Sequence, residues 1–354
     1  MKFPLGATLL MLGLCGGLAA YVREPEKVSK PAPIGVQRLD PSLDRLVPLD
    51  AKVDSVANGF GFTEGPVWEN DCNCLLFSDL PGNVIYKYSP SDGKTTVFMQ
   101  RAGFQGTDIW RWGGLNCNGR AESDAQYECF PLIGPDGLAL DPEGRLIIAT
   151  YAGRSIDRIE KDGTRTVLAD GYEGRRFNGP NDVVVRRDGA IYFTDTFGGL
   201  RDGDNDRRKQ LPYNGVYRWK DGVLTLLVSD MPKTNGLVFS PDERNLYVNG
   251  SGDNYVRRYD VQPDGTLSNG VLFINLKGHA EHGATDGMKV DAEGNLYVTG
   301  PGGVWVVSPQ GLHLGTLHIP EIAINLAFGD ADRKSLYVTA HTGVYRVRLK
   351  TAGL

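Results

Sequence analysis

Six side chains with oxygen-donor chemistry head the same local phrase along the chain: Glu64, Asp136, Asn181, Asn235, Asp286 and Asn325. Three carboxylates and three amides, with no His or Cys among them, make a set of hard ligands that selects Ca²⁺, Mg²⁺ or Mn²⁺ over softer metals. The neutral amides favour Ca²⁺, which accepts flexible geometry. Carboxylates crowded away from water repel and take up protons unless a cation offsets them. Asn and Asp also open strands for a plainer reason, because they bond their own backbone in turns. Turn chemistry alone would often use Gly, Ser or Pro, and none of the six positions holds one.

For six such residues to meet, the elements that carry them must converge on one axis. A repeat supplies that arrangement. Glu64-Gly65-Pro66-Val67-Trp68 leads to Leu75-Leu76-Phe77-Ser78-Asp79, and Asn181-Asp182-Val183 leads to Ile191-Tyr192-Phe193-Thr194-Asp195. Four more copies begin at Asp136, Asn235, Asp286 and Asn325, each followed by a second hairpin pattern such as Gly343-Val344-Tyr345-Arg346-Val347. Successive leading residues lie 72, 45, 54, 51 and 39 positions apart. Four strands per unit at about 40–50 residues is the period of a propeller blade. The pattern therefore predicts an all-β fold: one six-bladed β-propeller with four-stranded blades and a central metal-binding channel, over residues 46–350. The last copy stops after its third strand near Leu349, so a strand from about Leu46 to Ala57 is expected to close the ring and remove an open edge. Two insertions interrupt the period. Gln100 to Gly134 carries Trp110, Trp112, Cys117 and Cys129, and Leu200 to Asn214 is a charged lid loop whose Asp202–Asp206 run lacks the Gly and Glu of an EF-hand.

The chain has 354 residues, 41% of them hydrophobic, and a formal charge of −5, with no basic stripe that would suit nucleic acid. Lys2 and the apolar run from Leu5 to Ala20 predict an export signal over residues 1–20, either cleaved or kept as a membrane anchor. Residues 21–45 are expected as an extended linker, and the protein as periplasmic or secreted. Four cysteines follow the signal and allow three disulfide pairings. Cys117 and Cys129 share one insertion and are the expected pair. Cys72 and Cys74 are open between a bridge and buried thiols.

The segments Thr63-Glu64-Gly65-Pro66-Val67-Trp68, Asn178-Gly179-Pro180-Asn181-Asp182-Val183-Val184-Val185, Thr234-Asn235-Gly236-Leu237 and Thr285-Asp286-Gly287-Met288 resemble the gluconolactonase/regucalcin (senescence marker protein) family. More distantly they resemble paraoxonases and diisopropylfluorophosphatase. The resemblance implies a propeller with one catalytic divalent cation, no organic cofactor, and lactone hydrolysis. It implies Glu64, Asn181, Asn235 and Asp286 as metal ligands, with Asn181 alternatively facing the substrate. Asp136 departs from the family, standing where paraoxonases carry a catalytic His. A carboxylate must assist water attack, because Ca²⁺ acidifies water weakly, and Asp286 and Asp136 are the candidates. Arg175 and Arg176 are placed to meet sugar hydroxyls or a carboxylate, and Trp110 and Trp112 to wall a sugar ring. The expected substrate is an aldonolactone such as gluconolactone. An arylesterase or phosphotriesterase on the same site, and a non-catalytic binding propeller, are the alternatives.

Overall fold

A computed structural model describes residues 35–117, 123–125, 127–277 and 281–354, and the expected export signal lies outside them. Six antiparallel sheets, each built on four blade strands and one of them carrying a fifth, form a six-bladed propeller. The innermost strands are Thr63–Glu69, Pro135–Leu140, Pro180–Val185, Thr234–Phe239, Met288–Val290 and Ala323–Gly329. Second strands such as Cys74–Asp79, Ile191–Asp195 and Ser335–Ala340 are buried along their whole length, because neighbouring blades cover both faces. Their β-branched and aromatic residues suit that packing.

The core is correspondingly divided among the gaps between blades. Trp68 of blade one stacks on Tyr337 of blade six at 5.5 Å between ring centroids. Tyr192 of blade three meets Phe239 of blade four edge-on at 4.9 Å, and Tyr297 of blade five meets Phe328 of blade six at 5.3 Å. Each such pair contributes about 0.5–1.5 kcal/mol beyond its buried area. The ring closes as expected: Val53–Asn58 pairs with Gly343–Arg348 and completes blade six.

Residues 35–45 correct the expected linker. Gly35–Arg38 adds a fifth strand to blade five by pairing with His313–His318. The helical turn Leu43–Leu46 then buries Leu43 and Leu46 in the cluster between blades five and six. Elements of four residues carry too few turns or alternations to display a period, and what holds this strand is an edge supplied by blade five.

The recurring Thr-polar-Gly triplet has a tertiary explanation. Thr63, Thr234 and Thr285 each precede a ring residue, and each hydroxyl donates to a carbonyl at the second-strand end of the preceding blade: Ala340, Asp195 (3.0 Å) and Gly250 (3.2 Å). On the other side, a Cβ at Gly65 would lie 1.9 Å from the carbonyl oxygen of Asp136, and one at Gly236 would lie 2.0 Å from that of Asp286. The threonine hooks the strand backward and the glycine lets the next blade close in, which turns the middle residue onto the axis. Gly236→Ala is therefore expected to cost about 1–3 kcal/mol by overpacking against backbone. Its melting temperature should fall by several degrees, whereas Gly252→Ala, where nothing lies within 4 Å, should change little. Equal melting temperatures for the two variants would contradict this account of the triplet.

Candidate active site

The six predicted residues converge at one end of the channel. Glu64, Asp136, Asn181, Asn235 and Asn325 are buried, and Asp286 is half-buried. Asn181 Nδ2 donates to Asp136 Oδ2 at 2.7 Å, which turns its amide oxygen away from that carboxylate. Asn325 Nδ2 donates to Glu64 Oε2 at 2.8 Å, and its Oδ1 accepts the Leu326 N–H at 2.8 Å, so both ends of this amide are occupied. Two other oxygens are left over: Asn235 Oδ1 and Asp286 Oδ1 are buried without a hydrogen-bond partner. Orphaned buried acceptors are costly, and a cation satisfies them.

Electrostatics points the same way. Burial pushes Glu64 up to about 7, with the charge of Asp182 adding to the rise. Burial raises Asp136 well above the usual carboxylate range, and the charges of Glu64, Asp286 and Asp182 add to it. Asp286 is raised by burial first and then by Glu64, opposed by the ammonium of Lys233. Asp182 is used locally, accepting the Val183 N–H at 2.9 Å and facing Lys289. Glu64, Asp286, Asn181 and Asn235 together offer a cation two carboxylates and two amides, the oxygens of Asn235 and Asp286 among them being without a hydrogen-bond partner. Among the described residues, the one trio of carboxylate or thiol ligand atoms within 4.8 Å of one another is Glu69, Cys72 and Cys74. That trio lies at the opposite end of the first blade-one strand, and its sulfurs are already joined in a disulfide.

Second-strand side chains brace the ring. Ser78 Oγ donates to the Asp136 carbonyl at 2.8 Å, and Thr299 Oγ1 accepts the Asp286 N–H at 3.0 Å. Asp195, at the end of its second strand, accepts the Asn178 and Gly179 N–H groups at 2.9 and 2.7 Å and so fixes the loop that presents Asn181. Burial pushes Asp195 up to about 7. Asp79 does the same for Phe62 ahead of Glu64, at 3.2 Å. The repeat of Ser78-Asp79 in Thr194-Asp195 was the sequence signal for this support, and its meaning depends on the pairing of loops.

The model of the SMP-30/gluconolactonase/LRE-like region matches residues 62–342, nearly the whole propeller. The chain belongs to that family. It is 32% identical over 328 residues to a gluconolactonase of Zymomonas mobilis, covering 90% of this chain and 87% of that one. A pentonolactonase of Haloferax volcanii is 26% identical, with 79% and 81% covered. Among solved structures, a gluconolactonase of Xanthomonas campestris superposes with a TM-score of 0.73 at 27% identity, over 93% of this chain and 99% of that one.

Against this gluconolactonase-family frame, the two insertions form one joined rim. Gly113 and Gly114 N–H groups donate to the carbonyls of Gly199 and Gly198 at 3.0 and 2.8 Å. Arg201 donates to the carbonyls of Trp110 (3.1 Å) and Trp112 (3.0 Å), and Arg208 to that of Arg111 (2.5 Å). Cys117 and Cys129 are bonded, opposite each other in a short hairpin of Leu115–Cys117 with Cys129–Pro131. Cys72 and Cys74 are bonded as well, so the buried-thiol alternative falls.

The expected substrate-binding residues are placed less centrally than the ring. Trp110 is 65% exposed. Trp112 packs against guanidinium groups, with Arg208 at 4.8 Å, Arg154 at 5.5 Å and Arg111 at 5.9 Å from its ring centroid. Arg175 is exposed in a small hairpin. Arg176 pairs with Asp170 at 2.5 Å and lines a cavity of about 270 Å³ that holds none of the ring residues. In the lid loop, Asp206 is held well below the usual carboxylate range by its bonds to Arg208, which occupies the charge an EF-hand reading would give to a metal. His279, seven residues ahead of Asp286, lies outside the described residues. Two residues at the ring went unread in the sequence, Tyr151 and Lys233. Tyr151 sits in the loop after the second strand of blade two, buried, where the charges of Asp136, Asp286 and Glu64 act on it.

Proposed function

We propose that this chain is a carboxylic-ester hydrolase that opens a sugar-type lactone, an aldonolactone such as gluconolactone, at the channel ring. The observation that carries the reading is the pair of orphaned oxygens on Asn235 and Asp286 within a buried, carboxylate-rich ring. The 32% identity to a gluconolactonase over most of both chains supports the substrate class. Glu64, Asn181, Asn235 and Asp286 would hold a divalent cation, Ca²⁺ before Mg²⁺ or Mn²⁺. When bound, that cation supplies Lewis acidity to the lactone carbonyl and offsets the charge that grows on its oxygen.

The chain's own groups do the rest. Asp136, whose carboxylate accepts the Asn181 amide N–H, is the group we assign to take a proton from the attacking water. Such assistance contributes roughly 10²–10⁴-fold. Asp286 is the alternative base, weakened in that role because coordination lowers its pKa. The two insertions, joined to each other by backbone and arginine contacts, are the segments we assign to selecting which esters reach the ring. We also read the protein as exported, periplasmic or secreted, a reading supported by two disulfides that persist in an oxidising compartment.

A panel of aldonolactones, aryl acetates and phosphotriesters, assayed with Ca²⁺, tests the assignment. Higher kcat/KM on aldonolactones than on any aryl or phosphate ester is expected. The reverse order would give the site to an arylesterase or phosphotriesterase. No turnover of any ester would leave a binding propeller.

A further inference from the structure

We propose that Lys233 and Tyr151 form an oxyanion-binding pair beside the ring, so that the preferred lactones carry a second, anionic group, a carboxylate or a phosphate. This rests on the lactonase reading above and names its substrate class more narrowly.

Lys233 lies in the loop between blades three and four, two residues ahead of Asn235, and is half-buried. Its ammonium sits 5.4 Å from the ring centroid of Phe197. Among the described residues its ammonium makes no hydrogen bond or close ion pair; it contacts the Phe197 ring, and its charge acts at longer range on the Asp286 carboxylate. Of the other cations on the rim, Arg201 donates to carbonyls and keeps Nη1 without a partner, Arg208 pairs with Asp206, and Lys209 pairs with Asp204 at 2.6 Å. Tyr151 reaches the same place from blade two. Its hydroxyl presses on Gly198, where an added Cβ would lie 1.5 Å from it, and it too has no hydrogen-bond partner among the described residues.

Phe197 and Gly198 are consecutive, so the ammonium over the Phe197 ring and the hydroxyl against Gly198 meet adjacent residues, and each interacts electrostatically with Asp286. Lysine can only donate, and a phenol below its pKa donates readily. Two unsatisfied donors, one charged, call for a compact acceptor with negative charge. The lactone carbonyl is neutral and belongs to the ring's own site. The complementary group is a separate oxyanion on the substrate, such as the free carboxylate of an aldaric-acid lactone or the phosphate of a phosphorylated aldonolactone.

The test compares neutral glucono-δ-lactone, a monolactone of an aldaric acid and a phosphorylated aldonolactone, using Ca²⁺-supplied wild type, Lys233→Met, Lys233→Arg and Tyr151→Phe. Wild type should favour at least one anionic lactone, and which one identifies the oxyanion. Lys233→Met should lower the anionic-to-neutral ratio of kcat/KM by about tenfold or more, through KM, with Lys233→Arg recovering most of it. Tyr151→Phe should lower the ratio by a smaller factor. A wild-type preference for the neutral lactone, or a ratio that Lys233→Met does not move, would overturn the proposal and leave Lys233 as a counter-charge to the ring. Calorimetric binding of the corresponding free diacid separates this from the activity itself. If no lactone turns over but the diacid still binds wild type about tenfold more tightly than Lys233→Met, the lactonase reading fails and the oxyanion pair stands.

Discussion

Glu64→Gln and Asp286→Asn are expected to lose bound cation and to lower kcat/KM on a lactone by roughly a thousandfold, the scale of removing one main electrostatic contributor to an acyl-transfer transition state. Each substitution deletes a charge that offsets the cation, and Asp286→Asn also alters one of the two orphaned oxygens that mark the site. Asp136→Asn should behave differently. Its carboxylate is tied to Asn181 rather than left open, so turnover should fall by about 10²–10⁴-fold while cation content persists. Chelation should abolish activity in wild type, with recovery on adding Ca²⁺, Mn²⁺ or Mg²⁺ and none from softer ions alone. Elemental analysis run beside the kinetics decides the matter. Full turnover with no metal detected would sink the cation's role, and Asp136→Asn losing metal in step with Asp286→Asn would move Asp136 into the ligand set.

The second large effect is on stability against pH in cation-free protein. Burial raises Glu64 from 4.5 to about 7, and it raises Asp136 and Asp286 in the same direction. A carboxyl whose folded pKa is raised binds more protons folded than unfolded, so its contribution is complete below the unfolded pKa and is lost as pH rises through the folded one. For Glu64 the window runs from about 4.5 to about 7, and a shift of that size corresponds to about 3 kcal/mol. Asp195, pushed up to about 7 by burial, adds to the loss over a similar range. The chelated protein should therefore melt progressively lower from pH 5 to pH 8. With saturating Ca²⁺ the loss should be much smaller, because binding to the folded state alone offsets the ring charge. The separation between the two melting curves is the readout: it should widen with pH, and parallel curves would mean the ring carboxylates are not compensated by a cation.

Much of the architecture is legible in the sequence because a propeller repeats one local solution. Apolar strands of similar length, punctuated by Asp and Gly turns at about 40–50 residues, leave few other ways to bury so many two-faced strands. The missing sixth-blade strand could be anticipated for the same reason, since an unpaired edge needs covering. The six ring residues were legible as equivalents, each heading its copy of the repeat.

What each ring residue does was decided only by the tertiary structure. Asn325 and Asn235 look alike in sequence, yet Asn325 spends both ends of its amide on Glu64 and Leu326 while Asn235 keeps an open oxygen. That difference arises from how neighbouring blades abut, which no local pattern encodes. The residues 35–45 read as linker because two four-residue elements have no measurable period, and only the edge of blade five and the gap beside blade six gave them partners. Arg176 and Trp112 suggested substrate contacts by residue type, but Asp170 and a set of arginines compete for them in the folded chain. Tyr151 and Lys233 carried no motif at all. They matter because loops distant in sequence bring a hydroxyl against Gly198 and an ammonium over the ring of Phe197, contacts set by packing rather than by spacing.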